Sequence, residues 1–94
     1  MSTNDINTQF NQSAIDVQNL KIKPSTEQLL QLYGLYKQSL FGSNKEKTPG
    51  FFDFKSKSKF EAWDKYKTLS KNMAKTQYIK LVEELKIDYG FDKK

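Results

Sequence analysis

Ala74, Tyr78, Val82, Leu85 and Tyr89 recur every three or four residues, with Leu81 beside them. On a helix these positions form one stripe; on a strand they would scatter over both faces. The spacing therefore predicts a long helix over residues 71–89, stopped by Gly90. Leu29, Leu30, Leu32, Tyr33, Tyr36 and Leu40 repeat the pattern more broadly and predict a second helix over 27–40, with Phe41-Gly42 ending it. Phe10, Ala14, Val17 and Leu20 predict another over 7–20. Phe60, Trp63 and Tyr66 give a short one over 57–69. The only strand-like run, Phe51-Phe52-Asp53-Phe54, has no partner strand in the chain, so it is expected to be an aromatic loop tucked against the helices.

The connectors carry ordinary helix punctuation. Pro24 restricts Lys23 and redirects the chain, leaving Ser25 or Thr26 to cap the next helix. Ser56 or Ser58 stands near the start of the third helix, and Ser70 can cap the fourth. Residues 43–50 form a charged, turn-rich loop ending in the breaker pair Pro49-Gly50, and Lys45-Glu46-Lys47 within it reads as a solvated face. Gly34, inside the second helix, costs about 1 kcal/mol relative to alanine. It is expected to be simply tolerated there.

A chain of 94 residues should bury roughly 65% of its extended surface on folding, enough for one core. The expectation is one domain over residues 1–94, frayed at about 1–6 and 91–94. Without cysteine there are no thiol nucleophiles, disulfides or thiolate metal sites, and without histidine the usual imidazole base and zinc ligand are missing. Hydrolysis by paired carboxylates would need a cleft that so small a fold can hardly supply. The chain is therefore expected to be a non-enzyme with no cofactor and no metal.

The basic balance comes from lysine alone, 16 residues against 11 acidic ones. Base readout in nucleic acids leans on the bidentate fork of arginine, so the pattern favours an anionic partner, phosphates or an anionic surface, over nucleic acid. The first ten residues hold neither a basic leader nor an apolar run, and no stretch reaches the length needed to cross a bilayer. A cytoplasmic, monomeric protein is expected.

Leu32-Tyr33-Gly34-Leu35-Tyr36-Lys37-Gln38, then Pro49-Gly50-Phe51-Phe52-Asp53-Phe54-Lys55, then Lys57-Ser58-Lys59-Phe60-Glu61-Ala62-Trp63, and finally Tyr78-Ile79 with Val82-Glu83-Glu84-Leu85, closely resemble the acyl-CoA-binding protein family. The resemblance runs from about Phe10 to Tyr89 without an evident insertion. It implies an all-α, up-down-down-up four-helix bundle. It also implies non-catalytic binding, buffering and intracellular transport of medium- to long-chain fatty acyl-CoA esters. In such domains basic and aromatic side chains hold the nucleotide, and the acyl tail lies in a groove between helices.

Carried over residue by residue, the resemblance puts Lys37 on the 3′-phosphate and Lys59 on a second phosphate contact. Tyr33 would lie in the 3′-phosphate region and Tyr78 beside the adenine. Lys23 would be a further ligand-contacting lysine, with Tyr36 and Lys55 as weaker additions. Ser13 and Ala14 would form the small-residue region of the first helix, and Phe10, Ile15, Leu30 and Phe54 would border the groove. Phe60 stands where the family usually has tryptophan, Thr48 where arginine is common before the proline, and Gln18 where lysine is frequent. The first is expected to loosen a packing contact and the other two to lower basicity at the rim, which leaves chain-length preference open. Trp63 and Phe60 are expected to be core residues.

The resemblance also leaves room for transient contact with membranes or with enzymes that use acyl-CoA. The competing expectation is a peripheral membrane-surface or helix-partner module, which would present a continuous exposed patch in place of a ligand groove.

Overall fold

The computed structural model describes residues 5–50 and 53–91. Four helices follow one another: α1 (Ile6–Asp16), α2 (Thr26–Phe41), α3 (Phe54–Asp64) and α4 (Lys71–Tyr89), with a 3₁₀ turn at Val17–Asn19. Each starts on a side chain that satisfies a free backbone N–H, from Asp5, Ser25, Asp53 and Ser70. Ser25 and Gln28 form a reciprocal capping box. Gly42 and Gly90, both at positive φ, end α2 and α4.

The direction of each helix follows from its contacts. Asn7, Phe10 and Asp16 of α1 meet Lys75, Tyr78 and Lys86 of α4 in the same order, so these two run parallel. Tyr36 and Gln28 of α2 meet Tyr78 and Tyr89 of α4 in reverse order. Tyr33 and Gly34 of α2 pair with Lys59 and Ala62 of α3 in parallel. The result is the expected up-down-down-up bundle. Its core joins Phe10, Leu32, Leu35, Ala74, Tyr78, Val82 and Leu85. Among the described residues no helix is long and apolar enough to cross a membrane.

Several boundaries and roles differ from the sequence reading. The third helix starts at Phe54, three residues earlier than its apolar stripe suggested, because Asp53 caps it by accepting from Ser56 N at 3.2 Å. Phe54 is accordingly not part of a tucked loop: it sits in the first turn of α3 and is 69% exposed. Phe51 and Phe52 lie outside the described residues. Beyond Asp64 the chain tightens into turns, with Tyr66 N and Lys67 N donating to Trp63 O and Asp64 O. The first helix stops at Asp16.

Asp5 and Phe91, at the limits of the described residues, both make contacts with the bundle. Asp5 caps α1. Phe91 bridges to Leu20, while Lys21 N donates to Gly90 O at 3.0 Å. Lys86 Nζ lies 4.4 Å from the Phe91 ring. That same ammonium bridges Asp16 at 2.6 Å and Glu83 at 2.9 Å, and Gln12 donates to Asp16 at 2.8 Å, locking the end of α1 to α4.

Gly34 is not merely tolerated. A methyl group built there would fall 2.1 Å from the backbone oxygen of Ala62 and 2.9 Å from Cδ2 of Tyr66. The missing side chain is what lets α2 and α3 touch backbone to backbone. Just past this crossing, buried Gln38 donates to Leu69 O at 2.7 Å and Trp63 Nε1 donates to Gly42 O at 2.9 Å. The second bond ties α3, and the first the turns that follow it, to the end of α2.

Candidate ligand site

On α2, Tyr33, Lys37 and Phe41 are four residues apart and so share one face. On α3, Lys59 and Trp63 do the same. The parallel packing around Gly34 turns these two faces toward each other. Lys37 Nζ lies 4.8 Å from the Phe41 ring, 5.3 Å from Trp63 and 5.9 Å from Tyr33. Lys59 Nζ lies 5.5 Å from that same Tyr33 ring. Two ammonium groups from different helices thus converge on one tyrosine.

Each is attracted to the negative face of an aromatic ring, which positions the cation without neutralising it. The ion pairs among the described residues, Lys67–Asp64, Lys86–Asp16 and Lys86–Glu83, involve neither Lys37 nor Lys59. A concave surface formed by Lys37, Phe41, Ser43, Lys45, Glu46 and Trp63 adjoins the pair. Burial, with a smaller push from the Glu46 carboxylate, raises the Tyr33 phenol above its ordinary pKa, so its hydroxyl stays a donor. Two cations and a hydroxyl donor, backed by flat apolar walls, suit a phosphate attached to a ring.

Tyr36 and Tyr78 form a second aromatic group with Phe10. Ring centroids are 5.1 Å apart for Phe10–Tyr78, 5.6 Å for Phe10–Tyr36 and 5.8 Å for Tyr36–Tyr78. Tyr36 is partly open to solvent, whereas Tyr78 is 4% exposed and belongs to the core. Ala14 follows Phe10 by one turn and packs against the same core. Lys55 precedes Lys59 by one turn and is exposed.

The remaining expected site residues are not drawn into these clusters. Ser13 is buried and faces a cavity between α1 and α4 that it lines with Gln12, Asp16, Ile79, Glu83 and Lys86. Lys23 is exposed in the connector ahead of Pro24. Of the expected groove-lining residues, Phe10 is in the core, Ile15 and Phe54 are exposed, and Leu30 lines a cavity between α2 and α3. That cavity, of about 270 Å³ and open to solvent, is also lined by Ser58, Ala62 and Tyr66.

Phe41 and Trp63 were missed as walls of the Lys37 site. Phe41 follows Lys37 by four residues, a signal the sequence did contain, but its place beside a terminating glycine made it look like punctuation. Glu46 and Lys45 come from the loop read as merely solvated. Their approach depends on the chain doubling back, which helical periodicity does not encode.

Burial, and secondarily the neighbouring Tyr36 phenol, pushes the Tyr78 phenol up to about 12. Lys86 is penalised by burial but ends above its ordinary pKa, because its hydrogen bonds and charge interactions with Asp16 and Glu83 outweigh that penalty. Both groups hold their protons more tightly folded than unfolded. Their contributions are fully present below the unfolded values and are lost as pH rises through the folded ones. Stability should therefore fall from about pH 10 upward, with Tyr78 alone accounting for on the order of 2 kcal/mol by pH 12. Thermal melts from pH 8 to 12 on the protein and on Tyr78→Phe check this: the variant should lose less stability over the alkaline range.

A protein-family model described as "Acyl CoA binding protein" matches residues 7–82. The acyl-CoA-binding protein homolog 1 of Caenorhabditis elegans is 47% identical over 86% of this chain and 94% of its own length. The acyl-CoA-binding protein of Saccharomyces cerevisiae is 43% identical over 86% and 93%, respectively. Among solved structures, the crystal structure of Oryza sativa acyl-CoA-binding protein 2 superposes with a TM-score of 0.85 at 34% identity, covering 88% of this chain and 90% of that one. The solution structure of the yeast acyl-coenzyme A binding protein gives 0.68 at 43% identity, covering 86% and 94%. The helix order and these likenesses agree: the chain belongs to the acyl-CoA-binding protein family.

Proposed function

We propose that the protein reversibly binds medium- to long-chain fatty acyl-CoA thioesters, buffering and carrying them in the cytoplasm as a monomer. The observation that carries this reading is the convergence of Lys37 and Lys59 on the Tyr33 ring, with no carboxylate among the described residues paired to either ammonium. Pre-positioned cations without a direct ion pair suit the phosphoryl groups of a coenzyme A head group. The seam between α2 and α3, with Leu30 and Ala62 on its two sides, offers apolar surface to an acyl tail beside Ser58 and Lys59. Each methylene taken out of water there contributes about 0.8 kcal/mol.

Members of this family are non-catalytic binding proteins, and this chain is not an enzyme. Release of the intact thioester would supply membranes or enzymes that consume acyl-CoA. Residues 1–94 act as one binding domain in this reading.

Calorimetric titration with palmitoyl-CoA, coenzyme A and palmitate tests it. Palmitoyl-CoA should bind far more tightly than either half, because only it fills both the basic cluster and the groove. Equal weak binding of all three, or none of the thioester, would overturn the proposal.

A further inference from the structure

Two neighbouring cavities share a wall. The first, between α2 and α3, is lined by Leu30, Gln31, Ser58, Ala62 and Tyr66, and by the charged side chains of Glu27, Glu61 and Lys65. The second, of about 370 Å³, continues from Gln31 and Tyr66 to Leu35 of α2 and to Gln77, Lys80, Leu81 and Glu84 of α4. Gln31 and Tyr66 line both, so their side chains stand between the two spaces.

The Tyr66 ring is held from several sides. It packs where Gly34 has no side chain, with Cδ2 2.9 Å from the position a methyl would take. Its backbone is fixed by Tyr66 N donating to Trp63 O at 3.0 Å and by Leu69 N donating to Tyr66 O at 2.9 Å. A glycine chosen for close helix contact thereby also makes room for the wall.

We propose that Tyr66, with Gln31, is the end wall of the acyl groove and sets the longest acyl chain the protein holds fully buried. This rests on the reading that the tail enters the α2–α3 seam. The first cavity, about 270 Å³, has room for roughly nine methylene-sized units if each is given the volume of a water molecule. A longer chain meets charge at Glu27, Glu61 and Lys65, whose desolvation opposes hydrocarbon. Beyond Tyr66 it would meet Leu35 and Leu81. The ring therefore blocks the direction in which added methylenes could find apolar partners.

The test is a length series of saturated acyl-CoA ligands, hexanoyl to docosanoyl, titrated below their micellar range into the protein and into Tyr66→Phe, Tyr66→Ala and Gln31→Ala. The protein and Tyr66→Phe should stop gaining affinity at the same length. Tyr66→Ala should keep gaining, by up to about fourfold for each further methylene buried, with octanoyl-CoA affinity, whose tail ends short of the wall, little changed. Gln31→Ala should shift the same way by less, and it decides the matter if Tyr66→Ala melts too low to be titrated. An unchanged length profile in variants that still bind palmitoyl-CoA overturns the wall alone. Failure of the unsubstituted protein to prefer palmitoyl-CoA over coenzyme A overturns the underlying reading as well.

Discussion

Gly34→Ala is expected to lower the melting temperature by about 8 to 16 °C, although the substitution favours the helix it sits in. Alanine gains about 1 kcal/mol over glycine inside an exposed helix. Against that, the new methyl would lie 2.1 Å from the Ala62 carbonyl oxygen, a distance that only separation of α2 and α3 can relieve. Overpacking of this kind costs roughly 1 to 3 kcal/mol, and the upper end applies here because the obstacle is backbone and cannot change rotamer. The net loss is therefore about 2 kcal/mol or more, and each kcal/mol is worth about 4 to 8 °C in a domain of this size. Valine should be worse, since it adds bulk in the same place.

Gly50→Ala is the control: nothing lies within 4 Å of a methyl there, so its effect should stay within about 0.5 kcal/mol. If Gly34→Ala melted with the unsubstituted protein, the close crossing of α2 and α3 would be wrong. The crossing also sets the distance between Lys37 and Lys59. Gly34→Ala should accordingly weaken palmitoyl-CoA binding at temperatures where it remains folded.

The helices were legible because each buries a stripe whose period the chain spells out, and α4 runs over the residues its spacing indicates. Boundaries were legible only where a cap adjoins the stripe. Asp53 went unread because the first turn it caps carries a single apolar residue, Phe54, which resembled a loop anchor and not the start of a helical stripe. Contacts between helices were harder. That Gly34 is needed, not tolerated, depends on Ala62 approaching from another helix, and nothing in the local sequence distinguishes the two cases. The 2.6 Å pairing of Lys86 with Asp16 likewise depends on the parallel packing of α1 and α4, which no local pattern signals.

The candidate site divides along the same line. Lys37 and Lys59 came from resemblance, since composition alone offers 16 indistinguishable lysines. What the fold adds is the reason these two differ from the rest: both are held over one tyrosine ring, facing each other across the α2–α3 seam. Tyr66, by contrast, had only the status of one more aromatic in a helical stripe. Its position between two cavities is a product of where α3 ends and how closely Gly34 lets it approach.

Lys37→Ala should weaken palmitoyl-CoA binding by about 10- to 150-fold, the equivalent of one charge-assisted hydrogen bond worth roughly 1.5 to 3 kcal/mol. Two effects must be separated, because the lysine stem also covers Phe41 and Trp63, whose rings lie 4.8 and 5.3 Å from Nζ. Lys37→Met keeps an unbranched apolar side chain over those rings and removes only the charge. It should bind the ligand as weakly as Lys37→Ala while melting closer to the unsubstituted protein. Lys59→Ala should cost a similar amount, and the double variant should lose less than the sum. Both ammonium groups share the Tyr33 ring, and removing one leaves a phosphate free to shift toward the other. Strict additivity would mean that the two lysines hold separate groups. Raising salt should narrow the gap between the protein and Lys37→Ala, since the lost term is electrostatic and the apolar term is not. Unchanged affinity in Lys37→Met would remove that lysine from the site, whatever its place in the fold.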